Sequence, residues 1–234
     1  MANAEAATLA IAGAVLALGL AGVGASLGQR MAASASSLLM AERPERFGIT
    51  LILTVLVETS AIYGLLIAIL ILARLDTANS LDQGIAALAA GVSVGVSGFT
   101  TGVGEGVAAS ASVGGVANRE AIFGKALVLT VLPETGAIYG LLNAVLILRG
   151  AGFLGAVAAP PTQLGIAALY STLIIAGTSV VRYLQGRVGA SAISAISRRE
   201  EAFGRDIIFV VLLESVLIYG LLIAILILRF NAVI

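Results

Sequence analysis

Three glutamates recur at equivalent positions inside apolar stretches of this chain. Glu58, Glu134 and Glu214 are each followed at once by a hydroxyl residue and, five and six positions on, by a Tyr-Gly pair. An acidic side chain at the centre of a bilayer is unfavourable by about 2.5–3.5 kcal/mol on insertion scales, so its threefold repetition points to function. The chemistry open to a carboxylate in that setting is the binding and release of a proton or a small cation. The repeat therefore predicts a chain that handles ions.

Hydroxyl groups form a strip beside each glutamate. On a helix that turns about 100° per residue, a Tyr five positions after a Glu lies about 140° around the axis, so Tyr63 should not reach Glu58. Each Tyr shares a face with the hydroxyl residue four positions before it. The strip consists of Thr59 with Tyr63, Thr135 with Tyr139, and Ser215 with Tyr219. Because lipid offers no hydrogen bonds, we expect each strip to serve the glutamate of a neighbouring repeat.

The composition identifies the elements that carry these residues as membrane helices. The chain is 59% hydrophobic and 11% charged with a mean hydropathy of +1.09, too apolar for one water-soluble core of 234 residues. The first apolar segment follows Glu5 rather than basic residues and continues without a break, which favours a mature helix over a signal peptide. We predict an all-α membrane protein with six transmembrane helices, at about residues 6–40, 46–74, 82–117, 121–149, 162–197 and 202–230.

The six segments form three tandem helical hairpins, residues 1–76, 77–152 and 153–234. Phe47, Phe123 and Phe203 open the second helices, and the glutamate follows 11 positions later in every copy. The first helices are rich in Gly and Ala, which allow close backbone approach, so we expect them to form a crowded inner layer. At about 35 residues they would extend roughly 50 Å and project beyond a hydrocarbon core of about 30 Å.

Basic residues separate the two ends of the hairpins. The turns within the hairpins and their flanks carry Arg43, Arg46, Arg119, Lys125, Arg198, Arg199 and Arg205, whereas the opposite end carries Arg74, Arg149 and Arg229. The positive-inside rule therefore predicts a multi-pass protein of the cell membrane, with cytoplasmic turns and both termini on the other side.

Several classes of function are excluded by the residues the chain lacks. It has no Cys, His or Trp, so disulfides, histidine metal sites and catalytic cysteines are absent. A formal net charge of zero without a basic block gives no support for nucleic-acid binding. The sequence also contains no nucleotide-binding loop.

Polar residues of the first helices should lie opposite the glutamates when each hairpin closes. They are Gln29 and Arg30, Glu105, and Gln185 and Arg187. An alignment of residues 32–35, 108–111 and 189–192 places Gly28, Gly104 and Gln185 in one column, which sets Gln29 one residue, or about 100°, out of register with Gln185. Glu105 is open to three interpretations, an added ligand, a group directed into the interior or a protonated carboxyl, and the arginines are open to facing water. Pro133 either frees the carbonyl of Leu129 or only kinks its helix.

These features resemble the proteolipid, or c-type rotor subunit, of rotary ATPases, specifically subunit K of archaeal A-type and related V-type enzymes. The resemblance covers essentially the whole chain and is most specific at residues 132–141, in the Gly-rich first helices and at residues 185–188. It implies a homo-oligomeric ring surrounded by lipid, a stator membrane subunit, and central-stalk subunits at the cytoplasmic turns. ATP chemistry would belong to partner subunits, and the chain would not be an enzyme by itself.

The same resemblance implies that Glu58, Glu134 and Glu214 carry Na+ or H+, with no cofactor. The supporting ligands it implies are Gln29, Gln185, Thr59, Thr135, Ser215, Tyr63, Tyr139 and Tyr219. Na+ needs several oxygen ligands, which the third copy comes closest to supplying, whereas H+ needs only a carboxylate in an apolar setting. Three loaded sites would give a higher ion-to-ATP ratio than a triplicated subunit with silent copies.

A repeat-built secondary ion transporter is the alternative function, and a structural scaffold is a third. Transporters usually show inverted repeats and broken helices, whereas these repeats are parallel because each hairpin returns the chain to its starting side. A scaffold leaves three buried acids without a role.

Overall fold

The computed structural model describes residues 3–155 and 161–234, and six helical segments of this part are long and apolar enough to cross a membrane. They are Ala4–Glu42, Pro44–Leu72, Leu81–Asn118, Glu120–Gly150, Leu164–Arg198 and Glu200–Phe230. The prediction of an all-α protein with six transmembrane helices is confirmed. Each odd-numbered segment and the segment after it form an antiparallel pair joined by a short turn.

The first member of each pair is an inner helix. These helices are α1 (Ala4–Glu42), α4 (Leu81–Asn118) and the third, divided into α7 (Leu164–Ser179) and α8 (Val181–Arg198). The third one breaks at Val180, directly after Thr178 and Ser179, whose hydroxyls donate to carbonyls three or four residues earlier. Such bonds compete with the helical ladder and favour a bend. The start of α4 is fixed by a capping box between Ser80 and Gln83.

Each outer helix is interrupted at its glutamate. The pieces are α2 (Phe47–Val55) and α3 (Thr59–Leu72), α5 (Phe123–Val131) and α6 (Thr135–Gly150), and α9 (Phe203–Leu212) and α10 (Glu214–Phe230). Single 3-10 turns, Leu56–Glu58 and Leu132–Glu134, join the first two pairs, and the third pair meets at Leu213. Only the second interruption contains a proline, Pro133. The interruption therefore accompanies the glutamate and does not require the proline.

Glycines set the spacing of the inner helices. A Cβ added to Gly28 of α1 would overlap the carbonyl of Gly102, and one added to Gly106 would overlap the Cα of Gly28. On the other side of α4, Gly186 of α8 meets the carbonyl of Gly104 in the same way. The backbone of α4 thus lies directly against α1 on one flank and α8 on the other. The predicted crowded inner layer is confirmed.

A second set of glycines joins the outer helices to the inner ones. Gly64, Gly140 and Gly220 each follow the repeated Tyr and face an inner helix, where a Cβ would overlap Ala17, Ser97 and Thr178 respectively. The Tyr-Gly pair thus has two structural tasks. Its glycine lets the outer helix approach the inner one, and its tyrosine points sideways along the outer layer.

The hairpins stand side by side in chain order and are joined at their turns. Arg46 forms an ion pair with Glu120 at 3.2 Å, and Lys125 forms one with Glu200 at 2.7 Å. Because α4 lies between α1 and the third inner helix, the first and third hairpins end in free flanks. The described part of the chain is therefore an arc with two open edges.

The substitution Gly106→Ala should destabilise the protein, because its Cβ would force α1 and α4 apart, at a cost of about 1–3 kcal/mol. Gly114→Ala, on the same helix, is the matched control, since a Cβ there meets nothing within 4 Å. Thermal denaturation followed by circular dichroism should show a lower midpoint for Gly106→Ala than for Gly114→Ala. Equal midpoints would contradict the close packing of α1 on α4.

Candidate ion-binding sites

The glutamates of the second and third hairpins receive a hydrogen bond from the hairpin before them. Tyr63 Oη donates to Glu134 Oε1 at 2.8 Å, and Tyr139 Oη donates to Glu214 Oε1 at 3.2 Å. At both internal junctions, the tyrosine of the predicted hydroxyl strip thus reaches the glutamate of a neighbouring repeat. At the open edges, Tyr219 is 63% exposed and Glu58 is also exposed. The structure therefore does not bring Tyr219 and Ser215 to a glutamate of their own chain.

An inner-helix glutamine completes the sites of the first and third hairpins. Gln29 Nε2 donates to Glu58 Oε2 at 3.4 Å, and Gln185 Nε2 donates to Glu214 Oε2 at 3.1 Å. Both glutamines precede their glutamate by 29 residues. The predicted one-residue offset of Gln29 is therefore wrong. The Ala-Ser-Ala segment used to align the copies lies one residue closer to the glutamate in the third hairpin, and counting back from the glutamate gives the correct register.

Glu105 holds the equivalent position of the second hairpin, 29 residues before Glu134. Its side chain is 0% exposed, and neither carboxylate oxygen has a hydrogen-bond partner among the described residues. A protonated glutamate has nearly the shape of glutamine and can donate an O–H where glutamine donates an N–H. The second site thus carries two carboxylates where the first and third carry one carboxylate and one amide.

The hydroxyl residues after the glutamates retain oxygen lone pairs for a ligand. Thr59, Thr135 and Ser215 each donate to the carbonyl three residues earlier, at 3.0 Å in every case. That bond uses the hydroxyl proton and leaves the oxygen free to accept a hydrogen bond or to coordinate a cation. The hydroxyl oxygen of each of these three residues can therefore act as a hydrogen-bond acceptor or as a cation ligand.

Arg182 is the site residue that sequence reasoning missed. It lies on α8 with 0% exposure, and its Nη1 is 2.7 Å from Thr135 Oγ1, 3.2 Å from Gln185 Oε1 and 3.5 Å from Glu214 Oε1. Its guanidinium carbon is 5.3 Å from the centre of the Tyr139 ring, within cation–π range. The available signal was its position three residues before Gln185, on the same helix face. Arg30 and Arg187, the arginines considered in its place, are both exposed.

Parallel hairpins, close-packed inner helices and carboxylates bridged from hairpin to hairpin define a ring-forming membrane proteolipid. The ATP synthase C-subunit family matches the chain three times, at residues 12–71, 88–147 and 164–227, each match within one helical pair. The chain belongs to this family. It is accordingly a membrane-embedded proteolipid component and not a catalytic subunit, so ATP is neither synthesised nor hydrolysed on this chain.

Individual relatives support the same assignment. The chain is 40% identical to the A-type ATP synthase subunit K of Methanocaldococcus jannaschii over 94% of its own length and 95% of that protein. It is 32% identical to the V-type sodium ATPase subunit K of Enterococcus hirae, over 56% of its own length and 83% of that protein. It is 31% identical to the 16 kDa proteolipid of the human V-type proton ATPase, over 59% of its own length and 89% of that protein.

The cross-hairpin bonds predict which glutamate responds to the loss of each tyrosine hydroxyl. Tyr63→Phe should speed carbodiimide modification of Glu134 and leave Glu58 unchanged, because the hydroxyl that is removed donates to Glu134 Oε1 and its loss leaves that oxygen open to the reagent. Where the edges of neighbouring chains meet, Tyr219→Phe should instead speed modification of Glu58 and leave Glu134 unchanged. Mass spectrometry of each labelled peptide measures both. Modification of Glu58 that responds to Tyr63→Phe would contradict the assignment.

Proposed function

We propose that this chain is the ion-carrying rotor-ring subunit of an A/V-type rotary ATP synthase or ATPase. Several copies close into a membrane ring, with Glu58, Glu134 and Glu214 as the three candidate ion positions of each copy. A stator membrane subunit loads and unloads these positions, and ion flow turns the ring. Catalysis of ATP synthesis or hydrolysis takes place on partner subunits.

The repeated bond from a tyrosine to the next hairpin's glutamate is the observation that carries this proposal. It is present at both internal junctions and leaves a glutamate at one edge and a tyrosine at the other. A second copy placed edge to edge would bring Tyr219 and Ser215 to Glu58 of its neighbour. Because the two edges are complementary and differently composed, such contacts propagate head to tail, and closure gives a ring.

Charge neutrality explains how the ring moves ions. A carboxylate that has bound a proton or Na+ is neutral and can face lipid, whereas an emptied carboxylate needs a positive partner. One charge that crosses 100 mV gains about 2.3 kcal/mol, so several crossings must be combined to make one ATP. The number of loaded positions per ring therefore sets the ion-to-ATP ratio.

The sites supply chemistry for both Na+ and H+. Glu58 with Gln29, completed by Ser215 and Tyr219 of the adjacent copy, offers the several oxygens that Na+ requires. Hydroxyl residues after all three glutamates also favour Na+, since protonation alone would need only the carboxylate. Relatives named for sodium and for proton transport are almost equally similar to the chain, at 32% and 31% identity.

The proposed orientation places the hairpin turns in the cytoplasm. The turn end carries most of the basic residues, and Arg198, Arg199 and Arg205 remain exposed there. Arg46 and Lys125 are already used in ion pairs between neighbouring turns. The turn surface is thus both the linked rim of the ring and the docking surface for central-stalk subunits, with both termini on the opposite side.

Carbodiimide modification of the purified ring, with and without Na+ and at several pH values, tests the proposal. Glu58 and Glu134 should be labelled, because each is a carboxylate at the repeated position inside a membrane-spanning segment. Protection of these residues by Na+ identifies the carried ion as Na+, and labelling that follows pH but ignores Na+ identifies H+. Absence of label from both residues at every pH would refute the proposed function.

A further inference from the structure

We propose that the third position carries its own cation: Arg182 neutralises Glu214, so this position can face lipid without loading an ion. The inference rests on the proposed function and refines it, since it reduces the exchangeable positions of each chain from three to two. It concerns Arg182, which is fully buried within the membrane part of the chain.

The guanidinium occupies the point where the ion ligands of this site converge. Thr135 Oγ1, Gln185 Oε1 and Glu214 Oε1 all lie within 3.5 Å of Arg182 Nη1. These belong to the same three residue types that the family resemblance implies as Na+ ligands. A cation bound among these oxygens would have to displace Nη1. The third copy was expected to be the best Na+ site, and its geometry instead surrounds a nitrogen.

Both oxygens of Glu214 are already engaged. Oε1 accepts from Tyr139 at 3.2 Å and faces Arg182, and Oε2 accepts from Gln185 at 3.1 Å. Arginine stays protonated under all ordinary conditions, so its charge is permanent. The Arg182–Glu214 pair is therefore neutral with the carboxylate ionised. This neutrality removes the need for a proton or Na+ when the position faces lipid.

A gap in the adjacent hairpin accommodates the guanidinium. A Cβ on Gly136 of α6 would overlap the Nε, Cζ and Cδ atoms of Arg182. The equivalent residues of the other outer helices are Ser60 and Val216, which do have a Cβ. A large side chain on α8 thus meets the one outer helix of the three that has a glycine at this position. Arg182 of α8 and Gly136 of α6 are far apart in the sequence, and both are needed to place the guanidinium at this point.

The sequence supplies no equivalent cation to the other two positions. The residue 32 positions before the glutamate is Arg182 in the third hairpin, but Ser26 in the first and Gly102 in the second. The ionised groups therefore carry one negative charge at the first position and a net charge of zero at the third. At the second position, where Glu105 accompanies Glu134, they carry up to two negative charges. Only the first two require a cation from outside the chain.

The decisive experiment is carbodiimide modification of the assembled native ring at pH 6, with the three glutamates quantified separately by mass spectrometry. Glu58 and Glu134 should be labelled, and Glu214 should be labelled about tenfold or more slowly, because Tyr139, Gln185 and Arg182 already engage both of its oxygens. Labelling of all three at similar rates overturns this inference and leaves the proposed function standing. Absence of label from Glu58 and Glu134 refutes the proposed function, and the inference with it.

The variant Arg182→Met separates the effect of charge from that of burial. It removes the cation and keeps an unbranched side chain, so labelling of Glu214 should rise to the rate of Glu134. Arg187→Met, at an exposed position on the same helix, should leave the labelling of Glu214 as slow as in the native ring. An assembled Arg182→Met ring in which Glu214 is still labelled as slowly would attribute the protection to burial and overturn the inference. If Arg182→Met does not assemble, the native ring alone decides between the outcomes.

Discussion

A carboxylate inside a bilayer has to find its partners in protein, and here one of them comes from the next hairpin. Tyr63 reaches Glu134 and Tyr139 reaches Glu214, so a single hairpin cannot complete its own site. The close lateral packing of hairpins follows from this requirement. It in turn demands inner helices that touch along their backbones, as at Gly28, Gly102 and Gly106.

Much of the fold could be predicted from periodicity and composition. The six spans, the pairing into hairpins and the crowded inner layer follow from apolar length, the constant spacing from Phe to Glu, and the abundance of glycine. The sideways direction of Tyr63 also follows, because its angle from Glu58 is fixed by the helix. These features depend on short-range geometry, which follows directly from the spacing of residues along a helix.

The parts of the site that escaped prediction depend on register and on contacts between distant segments. Gln29 was misplaced because the third hairpin has its Ala-Ser-Ala segment one residue closer to the glutamate than the other two. Arg182 was missed because its environment is built by Thr135 and Gly136, more than forty residues away. The local signal in α8 is limited to spacing, since Arg182 lies three residues before Gln185 on the same helix face, whereas Arg187 lies on the exposed side.

Under the proposed function, and with the third position unloaded as proposed, the Arg182–Glu214 pair also affects the mechanics of the rotor. A ring built from these chains presents two loadable positions and then a skipped one, so the angular distance between successive loading events alternates between one hairpin and two. Torque is then delivered in unequal strokes. An attached shaft has to twist during the long stroke and unwind during the short one, which makes elastic compliance of the stalk a condition for smooth coupling to a catalytic head.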